Sequence, residues 1–207
     1  MAVKSNLLNM TMVLGLVCLL CSGILGGVYA LTKEPIDKAA VKKTEAAVAM
    51  VLPSFESTEK ETVDLSGKTY SYYKALNGSE AAGYAVESSV SGFGGPLTLL
   101  VGITPDGVVY NTSVLSHSET PGLGAKCTSD EKFTAQWKGF DPSSKILSVK
   151  KDGGDVDAIT ASTITSRAYA LAVENALAAF KAISGAADAV TGSSVHHEDQ
   201  NGGNEDE

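Results

Sequence analysis

A chain of 207 residues has room for one ordinary domain together with an anchor and a tail. Its formal charge of −8, with 24 acidic against 16 basic side chains, argues against the clustered basic surface that nucleic acid requires, so no nucleic-acid partner is expected. The three cysteines make no disulfide framework: Cys18 and Cys21 lie in an apolar run, leaving Cys127 as an unpaired thiol.

Leu7 to Leu31 carries no charge, and at about 1.5 Å rise per residue it is long enough to cross a bilayer core as a helix. A cleaved signal peptide is the rival reading, because Val28-Tyr29-Ala30 would suit a peptidase. The apolar stretch is, however, much longer than the usual ~7–15-residue signal core. Lys4 on one side and Lys33, Lys38, Lys42 and Lys43 on the other leave the orientation undecided by charge. Cys18-Leu19-Leu20-Cys21 has the spacing of a redox or metal pair, but both thiols would face hydrocarbon without further ligands, so they read as small apolar residues. Leu20 before Cys21 also argues against lipid attachment at that cysteine.

Residues 32–54 are rich in Ala, Lys and Glu and read as a connecting helix that stops at Pro53. Beyond Phe55 the composition turns to Gly, Ser, Thr, Tyr and Val. Strands are expected at Thr69–Leu76, Gly83–Ser89, Leu97–Thr104 and Val108–Ser116. Pro105-Asp106-Gly107 joins the last two as an antiparallel hairpin, with Pro fixing φ and Gly accepting a positive one. From Ile164 to Ile183 the apolar period becomes helical. The divisions are therefore a segment 1–6, a transmembrane helix 7–31, a connecting helix 32–54, a domain 55–184 and a disordered acidic tail 185–207. The fold class is α+β, an antiparallel sheet with packed helices. His196-His197 on the tail lacks further fixed ligands, and no metal site is expected.

Asp157 to Ser166 places small residues and hydroxyls just before the amphipathic helix. Free N–H groups and the positive dipole end of a helix's first turn favour a phosphate there. Thr160, Ser162, Thr163 and Thr165 add hydroxyls, and Ala161 and Ser162 let the backbone approach closely. Taken locally, an ordinary helix cap explains the same pattern. His117-Ser118-Glu119-Thr120-Pro121-Gly122-Leu123-Gly124-Ala125-Lys126 forms a rigid turn after the last strand, able to bring backbone amides and Leu123 against a planar ring. His117 reads as a turn hydrogen-bonder. No nucleophile-base constellation accompanies it, so a hydrolase is disfavoured and no catalytic residue is assigned.

The first segment resembles the flavinylation motif of the FMN-binding domain family, commonly Asp-x-Ile/Val-Ser/Thr-Gly-Ala-Thr-x-Thr/Ser. Thr160 matches its leading hydroxyl, Thr163 the threonine that the family esterifies to FMN phosphate, and Thr165 its second hydroxyl. Ala161 and Ser162 stand where Gly-Ala is usual. The second segment resembles the family's His-x-Glu-Thr-Pro-Gly-Leu-Gly signature, and Gly92-Phe93-Gly94-Gly95-Pro96 its Gly-aromatic-Gly-Gly-Pro turn. Length and motif order are similar to the G-subunit family of Rnf ion-translocating oxidoreductase complexes. The related C-subunit family of sodium-translocating NADH:quinone reductases stands second.

The resemblance implies FMN held covalently by a phosphoester to Thr163, placed by an FAD- and Mg²⁺-dependent flavin transferase. It makes Glu119, Thr120, Gly122, Leu123, Gly124, Lys126, Thr160, Ala161, Ser162, Ile164 and Thr165 the candidate cofactor-binding residues. It further implies an electron-transfer subunit between ferredoxin and NAD, coupled to Na⁺ or H⁺ movement, not catalytic alone. The partners implied are the other subunits of the complex, in a bacterial inner membrane with the domain facing the periplasm. The chain shows no GxGxxG, no ferredoxin-type cysteine run and no metal-ligand cluster. A membrane-tethered binding or structural module without cofactor is the contrasting reading.

Overall fold

The structure, a computed structural model, describes residues 7–193. The segment 1–6 and the tail from 194 on, with His196 and His197, lie outside the described residues.

Helix α1 spans Leu7–Val51 as one element and contains Pro35, running without a break through the expected boundary between residues 31 and 32. A proline removes one backbone donor and crowds the preceding turn. The Ala-, Lys- and Glu-rich stretch that follows propagates the helix in spite of that loss. Its apolar part meets the length and composition needed to cross a membrane. Thr11 and Thr32 donate their hydroxyls back to the carbonyls of Leu7 (2.9 Å) and Val28 (2.8 Å), which satisfies them within the helix itself.

From Ala46 onward the chain forms a compact unit. Its frame is a five-stranded antiparallel meander in the order β1 (Ser57–Leu65), β2 (Lys68–Asn77), β3 (Glu80–Ser91), β4 (Pro96–Ile103), β5 (Val109–His117). The four expected strands are β2 to β5. β1 is an addition: its sequence STEKETVDL is exposed or half-buried throughout, so no apolar alternation marks it. It is an edge strand held by pairing to β2 from Ser57↔Leu76 to Leu65↔Lys68. Ser66 (φ 52°) and Gly67 (φ 76°) make the two-residue turn between them. The hairpin at Pro105-Asp106-Gly107 forms as expected, with the Thr104 N–H donating to the Val108 carbonyl at 2.9 Å and Gly107 at φ 84°.

Past the sheet come a 3₁₀ turn (Gly124–Thr128), the short helix α2 (Glu131–Ala135), capped by Asp130, a second 3₁₀ turn (Lys150–Asp152) and the long helix α3 (Thr163–Ser193). Helix α3 covers one face of the sheet. Leu97, Leu99, Val101 and Ile103 of β4 point to that side and share a core with Ala168, Ala172, Val173, Ala176 and Phe180. The alanines let the helix come close to the strands. Leu100, on the opposite face of β4, packs with Ala75 and Ala85 against Ala47, Val48 and Val51 from the last turns of α1. β4 is thus buried on both sides, which is why it reads as a nearly continuous apolar run. Gly102 admits this packing, since a Cβ there would run into the Val51 carbonyl.

Trp137 stacks on Tyr169 with ring centroids 5.0 Å apart, and Phe133 meets Tyr169 edge-on at 5.0 Å, fixing the segment around α2 to α3. Helix α3 continues beyond Gly185 to Ser193, past the expected end of the domain, because that stretch is still alanine-rich.

Candidate functional site

Three segments far apart in sequence meet at the first turn of α3: the Gly92–Gly95 turn after β3, the 119–124 turn after β5, and residues 161–165. They enclose a cleft of about 360 Å³, within the usual range for small-molecule pockets. Phe93, Glu119, Thr120, Leu123 and Gly124 line it on one side, and Ala161, Ser162, Thr163, Ile164 and Thr165 on the other. All of these but Phe93 are attachment or cofactor-binding candidates of the sequence analysis. Gly122, Lys126 and Thr160, also candidates, are exposed and outside the wall.

Each wall has a local cause. The Gly92 N–H donates to the Gly95 carbonyl at 2.8 Å, closing a turn that carries Phe93 outward, 68% exposed. The Thr120 carbonyl accepts from the N–H groups of Leu123 and Ala125, both at 3.2 Å, which fixes the second turn. Ahead of α3, the Ser162 N–H donates to the Ile159 carbonyl at 3.0 Å. The Ser166 hydroxyl accepts from the Ile159 N–H at 2.9 Å and donates to the Ser162 carbonyl at 3.0 Å. The buried Ser166 therefore locks the bend that presents Thr163.

Ala161 adopts φ 61° in that bend. This left-handed conformation favours glycine, the residue usual there in the motif that this segment resembles. Thr163, half-buried, is the first residue of α3, beside the unpaired N–H groups of the first turn.

Glu119 is the hub. Only 5% exposed, it accepts on Oε1 from the Phe93 N–H at 2.8 Å and the Gly94 N–H at 3.4 Å, and on Oε2 from the Thr165 hydroxyl at 2.8 Å. Its own N–H donates to His117 Nδ1 at 3.2 Å, so His117 is the turn hydrogen-bonder expected of it. A Cβ on Gly92 or Gly124 would overlap the Glu119 carboxylate, and one on Gly94 would overlap the Ser118 carbonyl. The glycines of two separate motifs thus make room for one carboxylate and the turn that bears it.

Behind the wall, burial foremost and then the Glu119 charge push the Cys127 thiol up to about 11. The start of the segment leading into α3 is held from outside. Gln136 exchanges two hydrogen bonds with the main chain of Asp157 (2.8 and 3.1 Å), and the Asp157 carboxylate pairs with Lys150 at 2.7 Å.

Phe93, Ser166 and Gln136 are not among the site residues expected from sequence. For Phe93 a signal is present: a large aromatic between glycines in a turn has no core to enter. A wider groove of about 540 Å³ between β5 and α2 is lined by Asn111, Thr112, Cys127, Glu131, Thr134 and Lys138 among others. None of the motif residues of the cleft faces it.

Chemically, the cleft offers apolar side chains to a flat ligand and a helix N-terminus to an anionic end. Phe93, Leu123 and Ile164 are all substantially exposed for such large apolar groups, and they converge on the same opening. No Lys or Arg lines it.

The FMN-binding domain family matches residues 92–178, from the Gly92 turn into α3. The chain is 31% identical over 177 residues to the G subunit of the proton-translocating ferredoxin:NAD(+) oxidoreductase complex of Clostridium ljungdahlii, covering 84% of this chain and 91% of that protein. It is 34% identical over 171 residues to the G subunit of the ion-translocating oxidoreductase complex of Haemophilus influenzae, covering 75% and 81%. The crystal structure of Shewanella oneidensis NqrC is similar with a TM-score of 0.42 and 25% identity over 60% of this chain and 65% of that one. Identity above 30% along most of both sequences shows that the chain belongs to the G-subunit family of ion-translocating oxidoreductase complexes, with an FMN-binding domain over residues 92–178.

Proposed function

We propose that the chain is an electron-transfer subunit of a membrane ion-translocating ferredoxin:NAD oxidoreductase complex and carries FMN joined through its phosphate to the Thr163 hydroxyl. The observation that carries this reading is the position of Thr163: half-buried, first in α3, and in the wall of a cleft whose other side is Phe93, Leu123 and Glu119.

The residues fit the group in two respects. Exposed Phe93, Leu123 and Ile164 supply apolar contact for a planar ring. The first-turn N–H groups of α3 supply donors to a phosphate at Thr163. With no Lys or Arg in the wall, phosphate binding without a bond would rest on the helix terminus, typically ~1 kcal/mol or less at an exposed site, and on neutral hydroxyls such as those of Ser162 and Thr163. A covalent tether answers that weakness.

Bound FMN supplies one- and two-electron chemistry, and the chain's residues fix where it occurs. Ser166 holds the bend, Ala161 turns the backbone, and Thr165 ties the first helical turn to Glu119. In this reading α1 anchors the protein in the inner membrane, the domain faces the periplasm, and a flavin transferase using FAD and Mg²⁺ completes it. Ferredoxin, NAD and the Na⁺ or H⁺ path are handled by the other subunits.

The test is to co-express wild type, Thr163→Ser and Thr163→Val with a flavin transferase and measure flavin fluorescence after denaturing electrophoresis. Wild type and Thr163→Ser are expected to keep flavin and Thr163→Val to lose it. Covalent flavin on Thr163→Val would sink the assignment.

A further inference from the structure

The partners of the Glu119 carboxylate are all neutral: two backbone N–H groups and one hydroxyl. All three contacts bring donors to the carboxyl group, the arrangement that suits its acceptor-only form. The Lys38–Glu34, Lys150–Asp157 and Arg167–Asp152 pairs lie elsewhere, and no ion pair among the described residues involves Glu119. A buried charge held by dipoles rather than by a counter-ion keeps its field, and in a low-dielectric wall that field reaches its neighbours weakly screened.

The sequence also reserves this volume. Gly92 and Gly124, from two different turns, both stand where a Cβ would overlap the carboxylate. Glu119 borders the cleft, yet three of its roughly four acceptor positions are already taken from inside the protein. It is therefore chiefly an internal brace, in addition to the cofactor contact expected from sequence.

We propose that Glu119 is the positioning and redox-tuning residue of the flavin cleft. It braces the Phe93 turn against the first turn of α3, and it holds a fixed negative charge beside the ring that lowers the reduction potential of the bound flavin. The inference rests on the covalent-flavin reading of Thr163. Its electrostatic part follows from sign alone: adding electrons beside a fixed anion is disfavoured, so removing the anion makes reduction easier. Its geometric part follows from the hydrogen bonds, which join residues 93, 94, 119 and 165 through one side chain.

The experiment uses the full chain matured with its flavin transferase, in wild type, Glu119→Gln, Glu119→Ala and Thr165→Val. Three quantities are read: the fraction of Thr163 peptide bearing FMN, the flavin midpoint potential by spectroelectrochemical titration, and the melting temperature before flavinylation. Glu119→Gln retains an acceptor for Phe93 and an amide for the Thr165 oxygen. It is expected to keep more covalent flavin than Glu119→Ala, with a midpoint potential higher than that of wild type. Glu119→Ala is expected to lose several-fold in flavinylation. Thr165→Val, which keeps the charge, is expected to flavinylate less without a rise in potential, and the potential of the flavin that Glu119→Ala does retain, expected to rise, decides the redox part if Glu119→Gln fails to fold.

An unchanged potential in Glu119→Gln, a raised one in Thr165→Val, or full flavinylation of Glu119→Ala would overturn the proposal. A wild type that takes no FMN on Thr163 while a control protein does would instead overturn the underlying reading, and this inference with it.

Discussion

The Thr165 hydroxyl donates to Oε2 of Glu119 at 2.8 Å across 46 residues of chain, and Gly124 lies against that bond. A Cβ on Gly124 would overlap both partners. Through this contact the turn after β5 and the start of α3 become one wall. The cleft is therefore already shaped in the chain alone.

Gly124→Ala is expected to destabilise the domain by about 1–3 kcal/mol, the usual range for overpacking a filled site, and to reduce flavin incorporation by displacing Glu119. Gly122→Ala is the control. Gly122 has φ 78° but open space around its would-be Cβ, so it is expected to lose roughly 1–2 kcal/mol from backbone strain alone and to incorporate flavin normally. Urea unfolding of both variants, beside their flavin content, checks the distinction.

Ala161→Gly is expected to stabilise the domain slightly. Relief of the left-handed backbone at φ 61° is worth about 1–2 kcal/mol, while the added freedom of glycine in the unfolded chain takes back roughly 0.4–1 kcal/mol. Relief wins by a small margin, so the urea midpoint should rise with an unchanged slope. A lower midpoint would show that Ala161 sits in its conformation without strain.

His117→Ala is expected to keep covalent flavin. Its Nδ1 only accepts the Glu119 N–H, at 3.2 Å, and losing such a bond costs on the order of 1 kcal/mol. Loss of FMN from a folded His117→Ala protein would give the imidazole a role that the geometry does not.

Cys127 is fully buried, and its thiol is raised from the ordinary 9.0 to about 11. Below 9.0 the thiol is protonated whether the chain is folded or not, and its contribution to stability is fully present. Between 9.0 and about 11 the unfolded chain loses the proton more readily, so that contribution falls as pH rises. Alkylation at a pH of about 8, below both values, is expected to be slow in the folded protein and fast in denaturant, and Cys127→Ser should flatten the alkaline fall in stability. Rapid alkylation of the folded protein would contradict the burial.

Much of the fold is legible in the sequence because burial leaves a period. β4 shows itself as a nearly continuous apolar run, the core face of α3 by its helical spacing, and the Pro105-Asp106-Gly107 turn by residue type. β1 is not legible, because an edge strand with polar residues on both faces owes its conformation to pairing with β2. The unbroken α1 is hidden by Pro35, whose local penalty is outweighed along a long helix. At the site, small residues and hydroxyls before a helix suit a phosphate or an ordinary cap alike, and it is the resemblance to the flavinylation motif that singles out Thr163. The inward turn of Glu119 cannot be read in advance, since its three donors come from residues 93, 94 and 165. Its one trace in sequence is the recurrence of glycine at 92, 94 and 124.

The most direct test of the central claim is intact and peptide mass spectrometry of the full chain co-expressed with a flavin transferase. The account predicts an added FMN moiety, less water, on the peptide containing Thr163 and on no other. An unmodified Thr163 peptide, under conditions that flavinylate a control protein, would contradict it.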